Sequence, residues 1–321
     1  MKLSSRAQQV PGSPTLAVTA KVAQMRAQGI DIIGFGAGEP DFETPSYIRE
    51  AGKRGLDEGW TRYTPAGGLP AVKDAVIEHM QHHFQLSADA KQVMVSCGGK
   101  HVLYNALMCL CNEGDEVLLP APYWVTYPVQ IELAGGTPVI VPSTSENDFR
   151  VQIADLEAAC TPNTKGIIIN SPNNPTGAAY RKEDLQAIAE FAVARDLWVI
   201  SDEIYARLTY SGYTSQFFAT LSVDGQSMAD RTLTVYGLSK TYAMTGWRIG
   251  IAVGPQELIA AMTRLQGQVT SNPAAVSQAA AIAALRQPDD FLREWLDAFD
   301  IRRRTMVEQL NAMEGVRCNE P

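Results

Sequence analysis

From about residue 92 the chain alternates short apolar runs with amphipathic helical stretches, and this alternation restricts the fold more than any other feature. The runs are "QVMVS", "DEVLLP", "TPVIVP", "KGIIIN", "LWVISD", "TLTVYGLS" and "GIAVG". Between them, "GKHVLYNALMCLC", "YWVTYPVQIELAGG" and "KEDLQAIAEFAVARD" carry apolar residues at helical spacing. Strands that are apolar throughout suit a sheet covered on both faces, and the alternation predicts parallel crossovers. The expected fold class is therefore α/β, a mostly parallel sheet covered by helices, with a smaller, incomplete α/β domain. Three helices are expected before the sheet. "TLAVTAKVAQMRAQG" stops at Gly29, followed by "YIREAGKRGLDEG" and then "AVKDAVIEHMQHHF" behind Pro70. A helical region at about 255 to 314 leads toward a second domain. The division expected is an N-terminal segment 1–45, a large domain 46–285 and the start of a smaller domain at 286–321.

Charge and cysteine usage narrow the function classes. A net charge of -8, with both signs mixed along the chain, argues against a nucleic-acid footprint and against adhesion to an anionic membrane. Cys97, Cys109, Cys111, Cys160 and Cys318 are odd in number, sit mostly in apolar runs and lack paired metal-ligand spacing with histidines. They predict reduced thiols, no metal site and a cytoplasmic protein. "MKLSSRAQQVPGSPT" does not read as a signal peptide, and no apolar run is long enough to span a membrane.

Ligands of such sheets bind outside the carboxyl ends of the strands. Here those ends carry "CGGKH", "APYWVTYP", "SPNNPTG", "DEIYARL" and, after "TLTVYGLS", Lys240. Singly, each has a plain structural reading. Asp202 suits a helix cap, "SPNNPTG" a turn, and "CGGKH" lacks the spacing of a nucleotide P-loop. Lys240 alone reads as a solvated surface lysine. Together the five ends define one chemistry. A glycine pair opening a helix holds a phosphate on backbone amides. Trp124 stacks on a planar ring, Asp202 keeps a pyridine nitrogen protonated, and Lys240 forms an imine with an aldehyde. Pyridoxal phosphate needs all four.

The stretches "AGEPDF", "YTPAGG", "GGKHVLYNAL", "PYWVTYP", "NSPNNPTG", "SDEIY" and "SKTYAMTGWRIG" resemble the class I aminotransferases of the aspartate aminotransferase fold, in order and in spacing. The resemblance runs from about residue 5 to the end. It implies a pyridoxal-phosphate enzyme of fold type I that moves an amino group from an L-amino acid, aspartate first, to a 2-oxo acid such as 2-oxoglutarate. It assigns Lys240 as the cofactor's covalent anchor and the group that later moves the proton between Cα and C4′. Asp202 partners the pyridinium nitrogen, and Tyr205 and Asn174 donate to the ring's 3′ oxygen. Gly99, Lys100 and Arg248 hold the phosphate, with Ser239 a further contact. Trp124, Asn174 and Gly38 also meet substrate. Tyr63 reaches the phosphate of the other subunit, which implies a homodimer with shared sites.

Other residues keep bland readings. Tyr127 is expected to be a core aromatic, and His101 to pack or cap on its helix. The "HMQHHF" histidines read as a solvated helix face and the arginines of "IRRRT" as surface positions on a long helix. Two departures from the family pattern stand out. Gly237 occupies a position where many members carry a serine that donates to the phosphate. Members also continue past "GVRCNEP" and there supply the arginine that grips the substrate α-carboxylate. The expectation is that these residues are part of a longer enzyme. A natural truncation, or an arginine supplied from elsewhere, is the alternative. Two further functions share the same residues: a lyase or synthase on this fold, and a catalytically impaired dimer that binds the cofactor.

Overall fold

The computed structural model describes residues 1–36 and 38–321, with the backbone alone at Gln9; Ala37, the first residue of "AGEPDF", lies outside the described residues. The strands are β1 (Val93–Ser96), β2 (Glu116–Ala121), β3 (Thr137–Pro142), β4 (Thr164–Asn170), β5 (Trp198–Asp202), β6 (Ser222–Val223), β7 (Gln226–Ser227), β8 (Thr232–Gly237) and β9 (Gly250–Val253). The helices are α1 (Ser5–Gln9), α2 (Pro14–Ala27), α3 (Ser46–Asp57), α4 (Pro70–Phe84), α5 (Gly99–Leu110), α6 (Thr126–Leu133), α7 (Ile153–Ala159), α8 (Lys182–Ala194), α9 (Gln256–Val269), α10 (Ala275–Arg286) and α11 (Phe291–Asn311).

The main sheet has the order β1-β9-β8-β5-β4-β2-β3. Alternate residues of each strand enter opposite cores, as the pleat requires. Met94, Ile168, Ile200, Val235 and Ala252 pack with α5, α6 and α9. On the other face, Ile167, Ile169 and Val199 meet α7 and α8, while Val93, Val95, Tyr236 and Ile251 meet α3, α4 and α10. Both faces are dry, which is why the strand sequences show no polar alternation. Each Ile or Val so buried contributes about 1.5–3 kcal/mol.

The expected parallel pairing holds from β3 to β8. It fails at β9, which runs antiparallel to both β8 and β1. No crossover helix separates β8 from β9, so the chain turns straight back into the sheet. The chain steps outward from β2 to β3 and then returns to the other side of β2 as β4. That reversal leaves a crevice beyond the carboxyl ends of β2 and β4. α2 forms where expected and Gly29 follows it at φ +77°, yet none of its residues is buried. Helical spacing alone did not supply a face for it to cover.

One helix face reads differently in three dimensions. His82 is exposed, but His79 on α4 is buried, with its Nε2 3.2 Å from the Tyr236 hydroxyl of β8. The "solvated face" expectation is therefore wrong for His79: the α4 stripe that meets β8 includes it. Burial, followed by the charges of neighbouring His83 and Arg207, pushes His79 down to about 3. Burial and Arg207 hold His83 at about 4. The unfolded chain binds these protons near pH 6.5 and the folded chain refuses them, so stability is complete above about 6.5 and is lost as pH falls toward 3. The melting temperature is expected to drop from pH 6.5 to 5, at up to about 1.4 kcal/mol per pH unit for each histidine. His79→Gln, which still reaches Tyr236, flattens part of that slope in thermal unfolding followed by circular dichroism.

Candidate active site

The site gathers at the carboxyl edge of the sheet. Ser96 of β1, Gly250 of β9 and Gly237 of β8 lie side by side in register. Because β9 is antiparallel, its entrance, and so Arg248, falls on the same edge as the exits of β1, β5 and β8. The backbones crowd there. A Cβ on Gly250 would stand 2.3 Å from the Gly98 carbonyl carbon, so only glycine fits. Gly98 itself sits at φ +93°, and a side chain on it would strike the Arg248 guanidinium. α5 starts immediately afterwards. The amides of Gly99 and Lys100 have no carbonyl one turn earlier to bond, and they carry the positive end of the helix dipole. Arg248 is held over this cradle in the left-handed region, φ +57°, by bonds to the carbonyls of Thr245 (2.8 Å) and Cys97 (3.4 Å). A left-handed non-glycine residue costs about 1–2 kcal/mol, which marks the position as constrained by what its side chain does.

Lys240 follows β8 and opens into a cleft of about 1060 Å³ that Gly38, Asn174 and Tyr205 also line. Its Nζ donates to the Gly38 carbonyl and lies 6.0 Å from the centre of the Tyr205 ring. Burial lowers the Lys240 pKa; the Glu39 carboxylate opposes this and Arg248 adds to it. The net lowering makes the amine easier to deprotonate than a lysine in water. Asn174 Nδ2 donates to the Tyr205 hydroxyl at 3.4 Å. Asn170, the last residue of β4, orients this pair. Its side chain donates to the Asp202 carbonyl (2.9 Å) and accepts from the Asn174 amide (2.8 Å).

Asp202 ends β5 with its side chain buried, its Oδ1 accepting from the Ile204 amide (3.2 Å). This closes a turn, not a helix start. Its Oδ2 accepts from the Tyr127 hydroxyl at 2.8 Å. Burial pushes Asp202 up to about 6, while the Tyr127 and Ile204 bonds pull it down. Neighbouring Glu203, bonded to Ser201 Oγ (2.7 Å), is pushed by burial to about 8. At neutral pH the first of these two acids is charged and the second mostly is not, the usual sign that environments have separated their roles. A desolvated carboxylate of this kind is stabilised by a cation placed against it.

Tyr127 is the residue that sequence reasoning missed. It is a core aromatic, as expected, but its hydroxyl is spent on Asp202, across 75 positions of chain. Its sequence signal was only its place three positions after Trp124, across the turn that leads into α6. Trp124, half-buried, meets Tyr127 edge-on with ring centres 5.5 Å apart, and Lys100 Nζ lies 4.9 Å from the indole centre. Partial burial, then Arg248, lowers the Lys100 pKa. His101 bonds through Nδ1 to Ser96 Oγ (3.0 Å). Ser239 is buried beside Lys240. Tyr63 does not join this site. It is 90 % exposed, on the loop before α4. The surface reading of "IRRRT" fails at Arg303, whose side chain is 7 % exposed and turns in to Asp300 and Glu320.

An amine of lowered pKa, a buried carboxylate and a helix start with unbonded amides are thus grouped at one edge of a covered α/β sheet. The chain belongs to the family described as aminotransferase class I and II, whose model matches residues 30–321. It is 45% identical to an aspartate aminotransferase of Bacillus sp., over 99% of this chain and 81% of the relative. It is 47% identical to an aspartate/prephenate aminotransferase of Cereibacter sphaeroides, over 99% and 79%. The crystal structure of the aspartate aminotransferase from Rhizobium meliloti superposes with a TM-score of 0.95 at 40% identity, over 100% of this chain and 80% of that one. The chain is thus an aminotransferase on the fold the sequence predicted.

Loss of the Tyr127 hydroxyl removes a bond to the charged form of Asp202 and so raises its pKa. Tyr127→Phe is expected to move the acid limb of the pH–activity profile upward by about one unit and to lower kcat/KM about tenfold at pH 7. An unmoved acid limb, with stability unchanged, would deny Tyr127 this role.

Proposed function

We propose that the chain transfers an amino group from aspartate to a 2-oxo acid, 2-oxoglutarate first, with pyridoxal phosphate held at Lys240. The observation that carries this reading is the meeting of Lys240, Asp202 and the Gly98–Lys100 cradle at one sheet edge, from strand ends far apart in sequence. When bound, the cofactor's protonated ring supplies the electron sink for negative charge at the substrate Cα.

The residues divide the remaining work. The amides of Gly99 and Lys100, with Arg248 and Ser239, hold the phosphate. Trp124 would stack on the ring, Asp202 would keep its nitrogen protonated, and Asn174 with Tyr205 would bond its 3′ oxygen. Burial raises Tyr205 to about 12, with Asp202 adding to the rise, so its hydroxyl remains a donor at neutral pH. Lys240 is the covalent anchor. Its depressed pKa would also suit the amine to take a proton from the substrate Cα. Gly38, already bonded to Lys240 Nζ, offers backbone to the substrate beside Trp124 and Asn174.

Aspartate is supported by the two named relatives and by Lys100, a cation lying on the indole where a distal carboxylate is expected. A homodimer is supported by Tyr63, which is 90 % exposed on a well-anchored loop. Among the described residues no helix is long and apolar enough to cross a membrane, and all five cysteines are free, which supports a cytoplasmic setting. The sheet and, but for Arg286 at the end of α10, the helices covering it fall within residues 46–285, which we take as the large domain, with 1–45 as the N-terminal segment and 286–321 as the start of the smaller domain.

Two measurements test the proposal. Lys240→Ala should lose the absorbance band of lysine-linked cofactor and slow the half-reaction about 10⁴-fold or more. Single-turnover half-reactions across a panel of amino acids should be fastest with aspartate or glutamate. A faster monocarboxylic amino acid would overturn the substrate assignment while leaving the cofactor site standing.

A further inference from the structure

Two glutamines with no solvent exposure, Gln266 on α9 and Gln278 on α10, spend their side chains on the loop that carries Tyr63. Gln266 uses its whole hydrogen-bonding capacity. Its Nε2 donates to the carbonyls of Ala66 (2.6 Å) and Val95 (2.9 Å). Its Oε1 accepts from Ser96 Oγ (2.6 Å) and Asn105 Nδ2 (3.2 Å). Gln278 accepts from the Leu69 amide (2.8 Å) and donates to Thr64 Oγ1 (3.0 Å) and the Pro273 carbonyl (2.9 Å). The Val95 amide adds a bond to the Gly67 carbonyl (2.9 Å). Residues 64–69 are therefore pinned at four points, directly behind an aromatic that is 90 % exposed.

Gln266 also holds the other side of the arrangement. Ser96 is the last residue of β1, two positions before Gly98, and Asn105 lies on α5, the helix whose first amides form the phosphate cradle. One buried amide thus ties the cradle of its own chain to the loop that presents Tyr63 outward. A buried polar group satisfied on all sides is costly to disturb, so a displacement at either end is resisted at the other.

We propose that Gln266 is a positioning residue that couples the cofactor-phosphate cradle of one subunit to the Tyr63 loop that completes the site of the second copy. This rests on the reading above that Tyr63 reaches across a homodimer. Gln266 acts through the backbone of residues 64–69 in one direction and through Ser96 and Asn105 in the other. It touches no substrate.

Mixed dimers test the proposal. A chain carrying Lys240→Ala with Gln266→Leu is paired with an unaltered chain. The single lysine-bearing site then has its own cradle intact, and only the crossing loop comes from the altered chain. Its affinity for pyridoxal phosphate is read from the band of lysine-linked cofactor, against a dimer in which the first chain carries Lys240→Ala alone. The dissociation constant should rise about fivefold. The reciprocal dimer, with Gln266→Leu on the lysine-bearing chain and Lys240→Ala on the other, should weaken as well. A loss in the reciprocal dimer only would make Gln266 a local prop and overturn the coupling.

Placing Tyr63→Phe where Gln266→Leu stood separates the two readings. A weaker site with Tyr63→Phe but not with Gln266→Leu defeats the coupling alone. No change with either defeats the crossing of Tyr63 and the coupling with it. If Gln266→Leu does not assemble, Gln278→Leu loosens the same loop without touching the cradle. It should give the crossed loss, and an unchanged affinity there overturns the proposal.

Discussion

The contact between the Gly98 and Gly250 backbones is the constraint around which the site is built. β9 enters the sheet with no side chain at its first position, so the turn into α5 presses directly against it. That approach aims the first amides of α5 and the guanidinium of Arg248 into one small volume. It also places both beside β8, whose exit leads to Lys240. A methyl group at either glycine would separate the parts by more than hydrogen bonds tolerate.

Electrostatics then assigns the roles. Burial is the largest cause of the shifts at Lys240, Asp202 and Glu203, but it acts on them in opposite senses of charge. Burial makes the Lys240 amine easier to deprotonate, as the proposed role of nucleophile and base requires. The same burial threatens to neutralise Asp202, and the Tyr127 hydroxyl with the Ile204 amide keeps it charged near neutrality. Glu203 also accepts from a hydroxyl and an amide, those of Ser201 and Phe218, but its burial outweighs them and pushes it up to about 8. One carboxylate, desolvated and waiting for a cation, is the outcome.

Around this centre the molecule relies on side-chain amides as fasteners. Asn170 joins the ends of β4 and β5 and steers Asn174, while Gln266 and Gln278 fix the loop after Tyr63. Amides suit the task because each carries two donors and an acceptor with room for two bonds, and no charge to desolvate. None of them reads as functional in a linear sequence, where an asparagine after three isoleucines looks like a strand ending and a glutamine on a helix looks solvated.

What the sequence determined by itself is the class of fold and the chemistry of the strand ends. Apolar runs without alternation demand a sheet covered on both faces, and Lys240, Asp202, Asn174, Tyr205 and Arg248 are polar or charged residue types at turns, where local signals are strong. Only the tertiary structure decided the rest. It showed β9 running antiparallel, which brings Arg248 to the right edge. It turned His79 and Arg303 inward, contrary to their solvated appearance, and gave Tyr127 a second role through a carboxylate far away in the chain. It left Tyr63 outside its own cleft. The physical reason is range. Periodicity and turn chemistry are written over a few neighbouring residues, whereas burial and partnership depend on which surfaces the folded chain brings together.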